Sequence, residues 1–122
     1  MKVAVPSAGS GGLDDMVGEH FGRVPSYTLV EMDDLSAEVV ENTSEHRGGQ
    51  GLPPEIIHRA GANTMIVSSL GQRAINMFEE MGIMVYVGAS GTVRDAIQSY
   101  REGKLKPATD EEACKQHAFH DH

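Results

Sequence analysis

The sequence predicts a three-layer α/β domain on a mixed five-stranded sheet, with order 3-2-1-4-5 and strand 2 antiparallel to the rest. Three observations carry that prediction. The first part of the chain holds three short apolar or alternating runs with no helical period between them. The second part alternates continuous apolar runs with stripes of helical spacing, the pattern of parallel strands joined by right-handed crossovers. The chain has 122 residues, one domain's worth, and at that size folding buries roughly two-thirds of the surface the unfolded chain exposes.

Each element follows in order. Lys2 to Pro6, "KVAVP", is a first strand. "SAGSGGLDDMVGEHFGR" after it is a long Gly-rich loop, and loops of that length inside compact domains are uncommon and often functional. Tyr27 to Met32 sets Tyr27 and Leu29 against Thr28 and Val30, a second strand. The turn cluster "DDLS" leads to a third, Glu38 to Glu41, and two runs joined this closely pair as a hairpin. "NTSEHRGGQGLPP" is a second Gly-rich loop.

The period then changes. Pro54 suits the first turn of a helix and Gly61 the position just past its end, with Ile56, Ile57 and Ala60 facing inward. Thr64 to Ser68 is a continuous apolar strand, as in a sheet covered on both faces. Ala74, Met77, Phe78 and Met81 mark a second helix that Gly82 closes. Ile83 to Val87 is the last strand. Val93, Ala96, Ile97 and Tyr100 mark a third helix, opened by a Thr92-x-x-Asp95 capping box and stopped at Gly103. Residues 1–105 read as one domain, and residues 106–122, without apolar period, as a flexible tail carrying Cys and His. Both Gly-rich loops and the Gly88-to-Thr92 turn fall at one end of the sheet, near the carboxyl ends of strands, where ligands of such sheets bind.

Composition excludes several functions. A net charge of −8 argues against nucleic acid, whose phosphates call for clustered Lys and Arg. Tryptophan is absent and aromatic residues make up 5%, too few for a base-stacking platform. No run approaches the ~18 apolar residues of a membrane span. Cys114 is the single cysteine, so no internal disulfide forms. The expectation is a soluble cytoplasmic protein with no membrane partner.

Three features compete as chemistry. Gly9-Ser10-Gly11-Gly12 follows the first strand, but it lacks the third glycine and the following helix of a dinucleotide loop. Ser90, Gly91 and Thr92 open a helix, so their turn reads as an ordinary capped connection or as a weak anion site. The terminal "ACKQHAFHDH" places Cys114, His117, His120 and His122 within nine residues, a density that suits metal ligation, against the reading of a plain polar tail. His46 is a lone loop histidine and His58 a surface one. Asp14 and Asp15 are candidate hard-cation ligands, but the first strand brings no carboxylate to join them in a two-metal site. Nucleophile and metalloprotease motifs are absent, so no enzyme activity is expected.

"KVAVP", then "HFGRVPSYTLVE", then "GGQGLPPEIIHRAGANTMIVSSLGQRAINMFEEMGIMVYVGASGTVRDAIQSYREGKL" together resemble the dinitrogenase iron–molybdenum cofactor biosynthesis family over Lys2 to Leu105. That family includes NifX, NafY and the C-terminal domain of NifB. The resemblance implies a ribonuclease H-like fold. It implies a non-catalytic carrier for an iron- or molybdenum-containing metal–sulfur cluster or its precursor, related to nitrogen fixation, with a cluster donor or acceptor protein as partner. It further implies His20 of the H-F-G phrase as a cluster ligand, with Arg23 neutralising an anionic cluster, His46 as what remains of a His-rich loop, and Phe21 packed beneath. The alternative is a simple metal-binding or regulatory module that uses the Cys114, His117, His120 and His122 tail alone.

Overall fold

The computed structural model describes residues 1–43 and 52–109. Its elements are β1 (Lys2–Ser7), β2 (Ser26–Glu31), β3 (Ala37–Glu41), α1 (Pro53–Arg59), β4 (Thr64–Ile66), α2 (Gln72–Glu80), β5 (Met84–Val87), α3 (Val93–Arg101) and β6 (Lys106–Pro107). A 3₁₀ turn, Phe21–Arg23, interrupts the long β1–β2 connection. The sheet order is β3-β2-β1-β4-β5-β6. β2 runs antiparallel to both β1 and β3, while β1, β4 and β5 are parallel. The expected order 3-2-1-4-5 is therefore present and extended by one strand.

Burial on both faces explains why β1 reads as an unbroken apolar run. Ala4 joins Tyr27, Leu29, Met65 and Val85 against Ile56 and Ile57 of α1 and Phe78 of α2. Val3 and Val5 point the other way and join Val30 and Ile66 against Val93, Ala96 and Ile97 of α3. Each such side chain contributes roughly 1.5–3 kcal/mol when withdrawn from water. The glycines expected to stop the three helices, Gly61, Gly82 and Gly103, all have positive φ. The capping box forms in both directions, Asp95 N to Thr92 Oγ1 at 3.1 Å and Thr92 N to Asp95 Oδ2 at 3.0 Å.

Two details depart from the sequence reading. The inward residues of α2 are Ile75 and Phe78, while Ala74 and Met77 are half-buried. Phe78 and Met81 of the expected stripe do pack on the core, and Ile75 takes the buried place expected of Ala74, its larger side chain withdrawing more apolar surface from water. The domain also runs past residue 105. β6 pairs antiparallel with β5, Tyr86 opposite Pro107 and Val87 opposite Lys106. Beyond it Ala108 N donates to the Val85 carbonyl at 2.8 Å and the buried Thr109 Oγ1 accepts from Val85 N at 3.0 Å. Lys106 and Pro107 are both exposed, so no hydrophobic period marks this edge strand.

Register decides which loops meet. Ser7, the end of β1, lies opposite Ser26, the start of β2, which lies opposite Glu41, the end of β3. The β1–β2 connection, the exit of β3 and the turns after β4 and β5 therefore share one end of the sheet. β6 runs the opposite way to β5, so Thr109 lies at the other end. No helix among the described residues is long and apolar enough to cross a membrane.

Cutting the chain after Thr109 should leave the thermal midpoint unchanged. Cutting after Leu105 removes the β6 pairing and should cost about 1 kcal/mol, or roughly 4–8 °C for a domain of this size. Equal midpoints for the two truncations would show that β6 adds nothing to the sheet.

Candidate functional site

The β1–β2 connection is an ordered structure with two halves. In the first, Ser7, Ser26 and Thr28 are buried and linked through their hydroxyls, Ser7 Oγ to Ser26 Oγ at 2.7 Å and Thr28 Oγ1 to Ser7 Oγ at 3.1 Å. Ser26 Oγ donates to the Gly9 carbonyl at 2.8 Å, and Gly12 N donates to Thr28 Oγ1 at 3.0 Å. The Asp15 carboxylate then gathers the glycines: Oδ2 accepts from Gly9 N and Gly11 N, each at 2.8 Å, and Oδ1 from Met16 N at 2.8 Å. Burial alone would raise the Asp15 carboxyl, but the hydrogen bonds from Gly11, Gly9 and Met16 outweigh it and hold it below its ordinary value. The Gly-rich segment resembles an anion-binding nest, and its anion is the chain's own Asp15. A carboxylate engaged in this way is unavailable to a hard cation, and Asp14 pairs with Arg94 at 3.2 Å.

The same half closes the Ser90–Thr92 turn. Val93 N donates to the Asp15 carbonyl at 2.8 Å and Arg94 N to that of Leu13 at 2.9 Å, while Asp95 N goes to Thr92 Oγ1. Val17 N takes the Gly91 carbonyl at 2.9 Å. The first-turn donors that this turn was expected to offer an anion are thus committed within the chain, and the Asp95 carboxylate stands beside them. These bonds are those of a capped connection.

The second half carries the H-F-G-R phrase. Phe21 is buried, its ring 5.4 Å from that of Tyr27 and 5.5 Å, edge-on, from that of Phe78. Its neighbours His20, Gly22 and Arg23 are exposed. A tight turn places successive side chains on different sides, so one residue anchors while those around it face solvent. The turn is held by Arg23 N to the His20 carbonyl at 2.9 Å and by the Tyr27 hydroxyl, which donates to the Phe21 carbonyl at 2.7 Å. Asn42 Nδ2, beyond β3, donates to the carbonyls of Gly22 at 3.2 Å and Val24 at 2.8 Å. Gly18 N donates to the Pro6 carbonyl at 2.9 Å, and a side chain at Gly18 would clash with Val24 Cγ1.

His20 and Arg23 face a cleft of about 380 Å³, lined also by Glu19, Phe21, Gly22, Ser69, Leu70, Gly71 and Ala74. Its far wall is the start of α2. Gly71 at the N-cap offers no side chain to its amides, and the first turn holds no carboxylate. The positive end of the helix dipole and the Arg23 guanidinium face the cleft, with the Glu19 carboxylate also among its lining residues. Of the residues singled out from the sequence, the structure brings His20 and Arg23 together here and places Ser90, Gly91 and Thr92 at the start of α3. His46, Cys114, His117, His120 and His122 lie outside the described residues. Among the described residues no three His, Cys, Asp or Glu side chains converge as a metal site. The sequence reading missed the Ser69–Gly71 wall and the Asn42 and Tyr27 clamps. The L-G-Q phrase before α2 was the one available signal for the wall.

A mixed sheet with this cleft at the carboxyl ends of its parallel strands defines an α/β domain that presents the His20 imidazole at the cleft wall. The chain belongs to the dinitrogenase iron–molybdenum cofactor family, whose model matches residues 1–103. It is similar to the apo form of the orange protein from Desulfovibrio gigas, with TM-score 0.78 and 28% identity over 88% of this chain and 92% of that one. It is similar to a Thermotoga protein, TM1290, provisionally named a NifB protein of the DUF35 family, with TM-score 0.72 and 32% identity over 89% and 94% of the two chains. The protein MJ0580 of Methanocaldococcus jannaschii is 29% identical over 111 residues, 87% of this chain and 90% of that one.

Two substitutions test the loop. Asp15→Ala should cost about 1–2 kcal/mol, since three backbone donors lose a charged acceptor. The folded-state value of this carboxyl is lowered, so its contribution is full above the ordinary aspartate range and disappears as pH falls through the lowered value. The stability gap between parent and variant, read from denaturant curves, should therefore narrow below about pH 4. Gly18→Ala should cost about 1–3 kcal/mol by overpacking against Val24; a midpoint equal to the parent's would show that this approach is not close.

Proposed function

We propose that this protein binds and carries a metal–sulfur cluster, iron- or molybdenum-containing, or a precursor of one, between a donor and an acceptor protein in the cytoplasm, without catalysing a reaction. The observation that carries this reading is the exposed imidazole of His20, fixed on a clamped turn at the wall of a cleft that Arg23 and the start of α2 also line. Family membership and the likeness to the orange protein support a cofactor-binding role.

The donor set suits a preformed cluster. The described residues offer this cleft one imidazole and no thiolate, which cannot assemble a four-thiolate iron–sulfur centre. A cluster that arrives with its own sulfides needs only a capping ligand and charge compensation. His20 supplies a borderline nitrogen for an exposed metal, and Arg23 with the α2 terminus balances anionic charge. His46 is proposed as a further ligand on the family resemblance alone.

A second reading keeps Cys114, His117, His120 and His122 as a separate metal module. It is favoured by the end of the described chain, Thr109, which lies across the sheet from His20. The two readings separate by mutation. Anaerobic titration with tetrathiomolybdate, the simplest soluble molybdenum–sulfide anion, followed by visible absorption, should show saturable binding by the parent. His20→Ala should weaken it by roughly 100-fold or more, beyond the 10- to 100-fold typical of losing only a ligand's supporting partner. Truncation after Thr109 should weaken it less. Arg23→Gln should weaken it a few-fold, with the difference shrinking as salt is added. If His20→Ala binds like the parent while the truncation abolishes binding, the cleft reading fails and the tail module takes its place.

A further inference from the structure

Tyr27 is fully buried, yet it carries a hydroxyl into the core beneath the cleft. Its ring packs beside Phe21, and a phenylalanine would supply the same ring. What the hydroxyl adds is a 2.7 Å hydrogen bond to the Phe21 carbonyl, within the protein interior. Burial pushes the phenol well above its ordinary range, so the group stays a donor at any ordinary pH.

That bond fixes a peptide plane. The peptide unit is planar and trans, so its N–H points opposite to its C=O. With the Phe21 carbonyl drawn down to Tyr27, the Gly22 N–H turns toward the exposed side, where Gly22 lines the cleft. Rotation of this plane would free the Phe21 carbonyl and turn the Gly22 N–H out of the cleft, loosening the turn on which His20 sits. The other clamps, Arg23 N on His20 and Asn42 on Gly22, lie nearer solvent, where water can stand in for a lost partner. The Tyr27 hydroxyl bonds from inside the protein, where losing it leaves the Phe21 carbonyl one buried donor short.

We infer that Tyr27 is a positioning residue for the cleft: its hydroxyl fixes the Phe21–Gly22 peptide and, through it, the direction in which His20 presents its imidazole. The binding half of this inference rests on the cleft being the ligand site; the geometric half does not.

The test uses the full chain with Tyr27→Phe, and Ile97→Val, on the opposite face of the sheet, as a control for general loosening of the core. In the ligand-free protein, NMR should show the His20 ring and Gly22 amide resonances moved or broadened in Tyr27→Phe and unchanged in Ile97→Val. Tetrathiomolybdate affinity should fall roughly 10- to 100-fold in Tyr27→Phe, as for other groups that orient a metal ligand, with an altered visible spectrum of the bound form. Unmoved His20 and Gly22 resonances, or binding by Tyr27→Phe equal to the parent's, would overturn the inference. If the parent itself takes up no tetrathiomolybdate, the cleft reading falls and the two resonances alone decide whether Tyr27 positions the turn. A further measurement needs no variant: the Tyr27 hydroxyl proton of the parent should be protected from solvent exchange, and fast exchange would equally overturn the inference.

Discussion

The ring of Phe21, wedged between Tyr27 of β2 and Phe78 of α2, ties a solvent-facing turn to the core. A long connection crossing the end of a sheet must satisfy its backbone and still resist fraying, and one buried aromatic contributes roughly 1.5–3 kcal/mol toward that. The three rings also bring together elements far apart in the chain. The turn before β2 is thereby held at a fixed distance from the start of α2, and that separation is the cleft. His20 and Arg23 flank the anchor in sequence, so anchoring Phe21 fixes where both of them emerge.

A second constraint decides which glycine-rich segment is available to a ligand. The nest after β1 is occupied by Asp15, and the first turn of α3 is occupied by the carbonyls of Leu13 and Asp15. The same stretch of chain therefore neutralises two surfaces that would otherwise attract anions. The start of α2 has no such cover, because Gly71 lacks a side chain and no carboxylate follows. In a chain of net charge −8, that leaves the cleft as a place where an uncovered dipole end and the Arg23 guanidinium stand together, beside the single carboxylate of Glu19.

Much of the architecture was legible because it rests on periodicity and punctuation. Val3, Ala4 and Val5 are all apolar since both faces of β1 are covered. Gly61, Gly82 and Gly103 mark helix ends because only glycine enters the left-handed region cheaply. β6 escaped notice because Lys106 and Pro107 are exposed and paired through backbone, which leaves no side-chain signature. On α2, Phe78 and Met81 were read correctly, and Ile75 was missed in favour of Ala74 because the two are neighbours and both apolar. Within the site, His20 and Arg23 were identified through a resemblance and not through spacing. The clamps were not legible at all: Asn42 and Tyr27 act on carbonyls some twenty and six residues away, and nothing local in "YTLVE" separates a tyrosine that packs from one that also donates. The opposite wall, Ser69 to Gly71, became part of the site only through the packing of α2 beside the Phe21 turn.

The central claim is that a metal of the bound cluster is ligated by the His20 imidazole in this cleft. X-ray absorption at the metal edge of the anaerobically loaded protein tests it most directly. The account predicts a light nitrogen scatterer with the outer-shell pattern of an imidazole, present in the parent and missing in His20→Ala loaded at higher concentration. An imidazole pattern that persists unchanged in His20→Ala, or a metal shell made of sulfur alone in the parent, would contradict it.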